Sequence, residues 1–153
     1  MAIERGASGE FRTGWTLLLA GMLGCCLGVS ALPIYTAGVF IPHLEKDFGW
    51  GRAELSLAIL LFTLALAVAS PVVGRVIDRF GVRRTVAVSI VGASSLYVML
   101  AFFLSGLALF YAGHILIAAV GAAAAPIAYT RVITNPFARA RGLALGLTLL
   151  GPG

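Results

Sequence analysis

Long uncharged stretches alternate with short charged clusters along the chain. About 20 apolar helical residues cross the ~30 Å hydrocarbon core of a bilayer, so these stretches predict membrane-spanning helices. The predicted spans lie at about residues 15–40, 55–76, 85–104 and 107–130. Residues 142–153 begin a fifth apolar helix that is too short to span, and we expect the chain to be cut within it. Residues 1–14 would form an N-terminal tail and residues 15–153 one transmembrane domain.

The composition agrees with this pattern. Hydrophobic residues make up 60% of the chain and charged residues 11%, whereas a soluble domain carries about 25% charged residues. The apolar run after Trp15 is longer than the 7–15 residues of a secretory signal core, so a cleaved signal is not expected. Cys25 and Cys26 are adjacent on a predicted helix and point about 100° apart, which predicts neither a mutual disulfide nor a metal site. We expect no metal and no cofactor.

The basic residues fall on one side of the predicted membrane. If the N-terminus is cytoplasmic, the inner segments hold nine of the eleven Lys and Arg residues: Arg5, Arg12, Arg75, Arg79, Arg83, Arg84, Arg131, Arg139 and Arg141. Positive residues stay on the cytoplasmic side, so the sequence predicts a multi-pass plasma-membrane protein with its N-terminus inside. The net charge of +5 is then a topology signal and does not indicate nucleic acid as a partner.

A short phrase occurs twice in the chain. Residues 31–40 read ALPIYTAGVF and residues 124–133 read AAPIAYTRVI, which share Ala-x-Pro-Ile-Tyr-Thr apart from one inserted residue. The first copy lies at the predicted outer end of helix 1 and the second at the inner end of helix 4. Such inversion three helices later is expected of inverted-topology repeats, and RAELSLAILL at Arg52 is echoed by RGLALGLTLL at Arg141. Chance recurrence of apolar residues is the alternative, because only the Pro, Tyr and Thr are informative.

The predicted loop between helices 2 and 3 reads GRVIDRFGVRR, residues 74–84. Gly74 would let another helix approach closely, and Gly81 can turn through positive φ in a tight loop. Asp78 lies at the membrane edge and needs a cation or a helix N-terminus as partner. An ordinary positive-inside loop would explain the arginines but not the glycines and the carboxylate at this spacing. The arginines would hold the loop in the cytoplasm: Arg75, Arg79, Arg83 and Arg84.

This loop, G-x-x-x-D-R-x-G-x-R-R, resembles the signature loop of the major facilitator superfamily. The resemblance implies an all-α transmembrane fold in which this chain supplies helices 1–4 and the start of helix 5 of a twelve-helix transporter built from inverted three-helix repeats. It also implies that the loop is a conformational latch, with Asp78 paired to a helix start in the second half of the transporter. That C-terminal half is absent from this chain and would be a required partner.

Two further stretches are similar to the monocarboxylate transporter and oxalate:formate antiporter branch. Residues 35–56 contain its aromatic-Gly-Trp and Arg-x-Glu-x-Ser patterns, and residues 137–153 resemble its entry into helix 5. The chain departs from the branch at Pro136, where a tryptophan is common, and at Pro152, which interrupts the glycine spacing. The resemblance implies small organic anions such as monocarboxylates as substrates, with protons or substrate exchange as the driving force.

The candidate substrate-binding residues are Tyr35, Tyr129, Arg131 and His114. Secondary transporters bind substrate near the bilayer midplane, where broken helices expose polar groups, and Pro33 and Pro126 each remove a backbone donor beside a candidate tyrosine. Tyrosines near helix ends are also common interface anchors. His114 could carry a proton, since imidazole titrates near neutral pH, or be a partly wetted packing residue. Arg131 could attract an anion or only hold the topology.

Small residues at four-residue spacing predict close helix contacts at Gly24 with Gly28, at residues 121–125, and at Gly142 with Gly146. This is a packing signal and gives no information about a substrate.

The sequence therefore predicts a secondary active transporter that works by alternating access in a lipid bilayer. No Lys or Arg lies at mid-membrane, and an anion in a low-dielectric site needs a cation, so we expect the second half to supply it. The alternative is a self-contained four-helix membrane protein with an assembly or regulatory role, in which Asp78 would need no partner. An enzyme is not expected, because H-E-x-x-H, G-x-S-x-G and phosphate-loop motifs are absent from the sequence.

Overall fold

The computed structural model describes residues 7–29, 31–134, 137 and 140–150. Every secondary-structure element in these ranges is helical. A 3₁₀ turn at Ala122–Ala124 lies between the fifth and sixth helices. The helices are α1 (Ala7–Cys26), α2 (Ala31–Phe48), α3 (Arg52–Phe80), α4 (Val82–Phe103), α5 (Leu107–Gly121), α6 (Pro126–Thr134) and α7 (Arg141–Leu149).

Three stretches among the described residues are long and apolar enough to cross a membrane. They are Arg52–Phe80, Val82–Phe103 and Leu107–Ile133. The prediction of an all-α fold with membrane-capable helices is therefore confirmed for the described part of the chain. α3 has 29 residues and is about 44 Å long at 1.5 Å per residue, so it extends beyond the hydrocarbon core. Its polar end, including Asp78, continues the helix instead of forming the predicted loop.

The predicted first span is divided into two helices. α1 ends at Cys26, residues 27–29 form a turn, and α2 begins at Ala31 and runs to Phe48. The apolar part of α1, Gly14–Cys26, is a shorter helix. Proline disrupts a helix interior because it has no N–H and its ring meets the preceding turn. Pro33 instead lies in the first turn of α2, where an N–H has no intrahelical partner to lose.

The predicted fourth span is also interrupted. α5 ends at Gly121, the 3₁₀ turn follows, and α6 begins at Pro126. Proline is favoured at the first position of a helix because its φ is already helical and its missing N–H costs nothing there. Both copies of the repeated phrase therefore open a helix directly after a break.

The described chain folds as two compact units. The terminal unit consists of the described residues of Met1–Gly28 and Ala125–Gly153, and the central unit is Val29–Ala124. In the terminal unit, α1, α6 and α7 pack against one another around a fully buried Phe137. A Cβ added at Gly142 or Gly146 would meet no atom within 4 Å, so the close contact predicted for these glycines is not formed within the described residues.

In the central unit, α5 packs against both α3 and α4. One buried cluster consists of Val29, Phe62, Ala93, Ile117, Ala118 and Ala124, and a second consists of Leu55, Ala58 and Phe110. Two glycines let the helices approach closely. A Cβ at Gly92 would lie 2.7 Å from Val120 Cγ1, and a Cβ at Gly113 would lie 2.6 Å from Leu100 Cδ1. Ser89 adds a buried hydrogen bond between helices, because its hydroxyl donates to the Val120 carbonyl at 2.6 Å.

Candidate functional site

A cavity of about 440 Å³ lies within the central unit, between α2, α3, α4 and α5. Ligand sites in proteins typically occupy about 300–1,000 Å³ and are mostly apolar with a few polar groups. The polar members of this lining are Thr36, Tyr97 and His114, and no Asp, Glu, Lys or Arg contributes to it. The remaining lining is apolar: Pro33, Ala37, Phe40, Ile41, Leu44, Leu55, Ile59, Leu100, Ala101, Leu104 and Phe110.

His114 is held in one orientation by its own helix. Its Nδ1 lies 2.9 Å from the Phe110 carbonyl oxygen, and its ring packs on the Phe110 ring at 4.3 Å and edge-on to Phe62 at 6.5 Å. A carbonyl oxygen only accepts hydrogen bonds, so Nδ1 must carry the hydrogen. In the neutral imidazole, Nε2 is then the acceptor. His114 therefore brings a hydrogen-bond acceptor to a cavity whose other polar lining residues are Thr36 and Tyr97.

Tyr97 also lines the cavity, and sequence reasoning missed it. Its hydroxyl oxygen is shielded from solvent and has no hydrogen-bond partner in the described part of the chain. An unsatisfied buried hydroxyl costs about 1–3 kcal/mol. The signal in the sequence is a phenol near the middle of a predicted span, where apolar residues surround it on both sides. Thr36, the last residue of the first repeated phrase, was missed as well.

Aromatic residues of the α2–α3 connection pack against one lining residue of the cavity. Trp50 stacks on Phe48 at 4.6 Å and packs against Phe110 at 5.3 Å, and Phe110 is one of the lining residues. The Tyr111 hydroxyl donates to the Glu54 carbonyl at 3.0 Å, which joins α5 to the start of α3. The aromatic-Gly-Trp pattern of the sequence therefore forms an aromatic cluster with Phe110 beside this cavity.

The start of α3 is fixed by the Arg-x-Glu-x-Ser pattern. The Glu54 carboxylate accepts from the backbone N–H of Gly51 at 2.9 Å, which is the reciprocal half of an N-terminal capping box. Arg52 Nε lies 2.9 Å from Glu45 Oε1, an exposed ion pair between the ends of α2 and α3. These contacts fix the α2–α3 connection that carries the aromatic cluster, and they give the Arg-x-Glu-x-Ser motif a structural role.

Tyr35 does not line the cavity, although Pro33 and Thr36 on the same helix do. Its side chain is 62% exposed on the opposite face of α2. Within the described residues, the structure places His114 in the cavity and Tyr35 outside it. The substrate role of Tyr35 remains a prediction.

Tyr129 and Arg131 lie on α6 in the terminal unit. The Tyr129 ring packs on α1 at Gly24, where an added Cβ would lie 2.6 Å from Tyr129 Cζ. The close contact predicted for Gly24 therefore involves a tyrosine from α6. Arg131 is exposed. The structure shows Tyr129 as a packing residue of its unit, and its predicted contact with substrate remains a prediction.

The predicted latch loop is a one-residue turn. Gly81 alone separates α3 from α4 and has φ +83°, so its predicted positive φ is confirmed. Its N–H donates to the Ile77 carbonyl at 2.8 Å, and the Thr85 hydroxyl donates to the Gly81 carbonyl at 2.9 Å. The other latch residues lie on the two helices: Gly74, Asp78 and Arg79 on α3, and Arg83 and Arg84 on α4.

The turn presents its charges to the surroundings. Asp78 is exposed, as are Arg83 and Arg84 on the next helix. Arg79 lies over the ring of Phe80, with its guanidinium carbon 5.5 Å from the ring centroid. These residues were predicted to lie in a loop, whereas the structure places them on the ends of two helices. Their role as a latch remains a prediction.

Comparison with known proteins identifies the family. Residues 14–151 match the family model of the Major Facilitator Superfamily. No curated protein and no solved structure matches the chain. The family match covers all of the described helices except the first residues of α1, and it agrees with the apolar helices and with the glycine turn between α3 and α4. The chain belongs to the Major Facilitator Superfamily.

Proposed function

We propose that the protein is a secondary active transporter that moves small organic anions, monocarboxylates in particular, by alternating access. The observation that carries the proposal is the pair of helix breaks, one before Pro33 and one before Pro126. Interrupted helices that expose backbone and polar groups are typical of substrate sites in secondary transporters. Family membership supports transport as the general activity.

The proposed orientation places the N-terminus in the cytoplasm of a plasma-membrane protein. It rests on the nine basic residues of the predicted inner segments and on the preference of basic residues for that side. The α3–α4 turn then faces the cytoplasm, and the α2–α3 connection with Trp50 faces the outside. Asp78 would pair with a helix start of the other half of the transporter and so hold one state of the transport cycle.

Candidate substrate-binding residues follow each of the two breaks. Tyr35 and Tyr129 would offer hydroxyl groups, and Arg131 would attract the anion to the inner vestibule. The cavity beside His114 has no charged lining residue, and an unpaired carboxylate in such surroundings is costly. We therefore assign the binding of the anion itself to cations of the second half, and we assign His114 to proton transfer through Nε2.

Transport by the protein together with its C-terminal half, purified and reconstituted in proteoliposomes, tests the substrate class. Uptake of radiolabelled lactate is measured in two formats, accumulation driven by an inward proton gradient and exchange against internal lactate. Saturable uptake in either format is the expected result. Failure of lactate, formate and oxalate in both formats, with uptake of an uncharged or cationic solute instead, would overturn the assignment of organic anions.

The variant His114→Asn tests the proton role, because an amide can hydrogen bond but does not titrate. We expect loss of gradient-driven accumulation with exchange retained. His43→Asn is a matched control: the Nδ1 of exposed His43 also lies 2.9 Å from the carbonyl four residues earlier, that of Val39. Equal loss in both formats for His114→Asn, or equal effects of the two variants, would remove His114 from the mechanism.

The variant Asp78→Asn tests the latch. A carboxylate at a helix N-terminus stabilises by around 1 kcal/mol, so we expect exchange to slow by about fivefold, since 1.36 kcal/mol corresponds to tenfold. Asp47→Asn removes the same charge from an exposed position at the end of α2 and should leave the rate unchanged. An unchanged rate in Asp78→Asn would contradict the latch assignment.

A further inference from the structure

A second cavity in the central unit has an apolar body and a basic end. It has a volume of about 410 Å³ and is a groove between α3 and α4 with α5 as its floor. The α3 wall consists of Val72, Val76 and Phe80, which recur every four residues and so form one stripe along the helix. The α4 wall begins with Arg84 and continues one turn further with Val88.

The floor of the groove is fixed by packing. Val120 contributes to it, and the backbone of Val120 is held to α4 by the hydrogen bond from the buried hydroxyl of Ser89. Gly92 sits against the Val120 side chain at a distance that leaves no room for a Cβ. The groove is therefore a property of the packed helices, and it does not depend on the orientation of a single surface side chain.

The walls carry apolar side chains that are largely exposed in the described part of the unit. Val88 is 72% exposed and Phe80 is 57% exposed. From Phe80 to Val72 the stripe extends about 12 Å along α3 at 1.5 Å per residue, close to the ~15 Å depth of hydrocarbon in one leaflet. The apolar stripe therefore matches the part of one acyl chain that lies in a single leaflet, both in length and in polarity.

The end of the groove near Gly81 is strongly basic. Between residues 75 and 84 the chain has four arginines and one aspartate, a net charge of +3. Arg84 lines the groove, and Arg79 lies over Phe80 at its mouth. Basic residues between helices at a membrane surface attract anionic headgroups, and a guanidinium matches the geometry of a phosphate oxygen pair.

We propose that this groove binds an anionic phospholipid, with an acyl chain between α3 and α4 and the phosphate at Arg84. The apolar stripe and the cationic end together select an amphiphile. An anion without an acyl chain would leave the stripe uncovered, and an acyl chain without negative charge would leave the net positive charge of this end unneutralised. A neighbouring cavity of about 550 Å³ shares Val72, Val73 and Ala119 with the groove and provides a place for a second acyl chain. The site includes Arg84 of the proposed latch segment and none of the candidate substrate-binding residues.

Native mass spectrometry of the purified protein tests the proposal. The protein is transferred from detergent micelles containing phosphatidylglycerol or phosphatidylcholine with identical acyl chains. We expect phosphatidylglycerol to be retained preferentially. Equal retention of the two lipids would overturn the proposal, and so would loss of the bound lipid on addition of millimolar inorganic phosphate, because a free anion would then be the ligand.

Two charge variants distinguish a specific phospholipid site from non-specific attraction of anionic lipid to the basic surface. Arg84→Gln removes the cation of α4 that lines the groove, and Arg75→Gln removes an exposed cation of α3 outside the lining. We expect Arg84→Gln to weaken phosphatidylglycerol retention by about fivefold, the effect of one basic residue near a membrane surface. Arg75→Gln should have a clearly smaller effect. Equal losses in the two variants would show diffuse attraction and overturn the site.

Two groove variants test the acyl-chain part. Val76→Trp fills the groove from α3, whereas Val91→Trp places the same side chain on an exposed face of α4 outside the lining. We expect lipid retention to fall at least as far in Val76→Trp as in Arg84→Gln and to stay unchanged in Val91→Trp. Unchanged retention in Val76→Trp would overturn the proposal. All four positions have exposed or half-exposed side chains, and circular dichroism of each variant confirms that its helices are intact.

Discussion

The two ends of the central unit contain the same three helices but differ in how their polar groups are satisfied. At the end near Gly81, Ser89 has a buried hydroxyl that bonds the Val120 carbonyl, and arginines face outward. At the end near Trp50, Tyr97 has a buried hydroxyl without a partner in the described residues. The aromatic rings of Phe48, Trp50 and Phe110 pack together beside a cavity. The first end therefore presents positive charge to the surroundings. The second end has an uncharged interior, where the unpaired Tyr97 hydroxyl lowers the stability of the fold.

The largest expected effect comes from the core that both ends share. Phe62 is 1% exposed and belongs to the cluster between α3, α4 and α5. Phe62→Ala should lower the free energy of unfolding by about 3–5 kcal/mol, as truncation of a buried phenylalanine usually does. Unfolding in mixed micelles by titration with sodium dodecyl sulfate, followed by circular dichroism, measures this change. A loss below about 1 kcal/mol would mean that the two ends do not depend on one core.

The next effect distinguishes the two ends by their glycines. Gly92→Ala and Gly113→Ala should each destabilise by about 1–3 kcal/mol, because overpacking forces neighbours to move. Gly92 meets a Val120 methyl and Gly113 meets the end of Leu100. Valine is stiff about χ1 and leucine can shift its terminal methyl groups, so the Gly92 variant should be the more costly. The same unfolding titration compares them, and the reverse order would contradict this packing.

Gly38→Ala is the matched control for these variants. Gly38 is also helical, but a Cβ there would meet no atom within 4 Å. Alanine in a helix is favoured over glycine by about 0.5–1 kcal/mol, so this variant should be slightly more stable than the parent protein. Destabilisation at Gly38 as large as that at Gly92 would indicate that the glycine effects come from the helix backbone and not from the contacts.

The smallest expected effects are changes of opposite sign in the free energy of unfolding when each of two hydroxyl groups on α4 is removed. Ser89→Ala removes a made hydrogen bond and should destabilise by about 1 kcal/mol, whereas Tyr97→Phe removes an unsatisfied hydroxyl and should stabilise by about 1 kcal/mol. Both changes are read from the midpoint of the same titration. Destabilisation in Tyr97→Phe would mean that its hydroxyl has a partner, such as water, and the contrast between the two ends would disappear.

The sequence predicted the glycine turn and three of its four full apolar spans, because both follow from local chemistry. The first predicted span is divided between α1 and α2. Uncharged runs of bilayer length specify helices, and Gly81 is the residue that tolerates positive φ between two helical segments. The ends of the helices were less predictable. Glu45, Lys46 and Asp47 continue α2 beyond its apolar part, because charged residues are compatible with a helix once it leaves the hydrocarbon.

The candidate site was less predictable, because it depends on which side of each helix faces a neighbour. Tyr35 and Thr36 are adjacent in the sequence, yet Thr36 lines the cavity and Tyr35 is exposed. A helix with apolar residues on every side gives no periodic signal to separate these two directions. His114 was identified by its titratable side chain, whereas Tyr97 acquires its significance only from the contacts that its hydroxyl lacks.

The distribution of tryptophan gives the molecule a pair of built-in optical labels. The chain contains two tryptophans: Trp15 lies in the terminal unit, and Trp50 stacks on Phe48 in the central unit. Trp15 is 56% exposed on α1, so its emission reports on the medium around that helix. The emission of Trp50 reports on the packing of the aromatic cluster beside the cavity. Replacing either one by phenylalanine leaves a single fluorophore, and the two units can then be followed separately in the same lipid preparation.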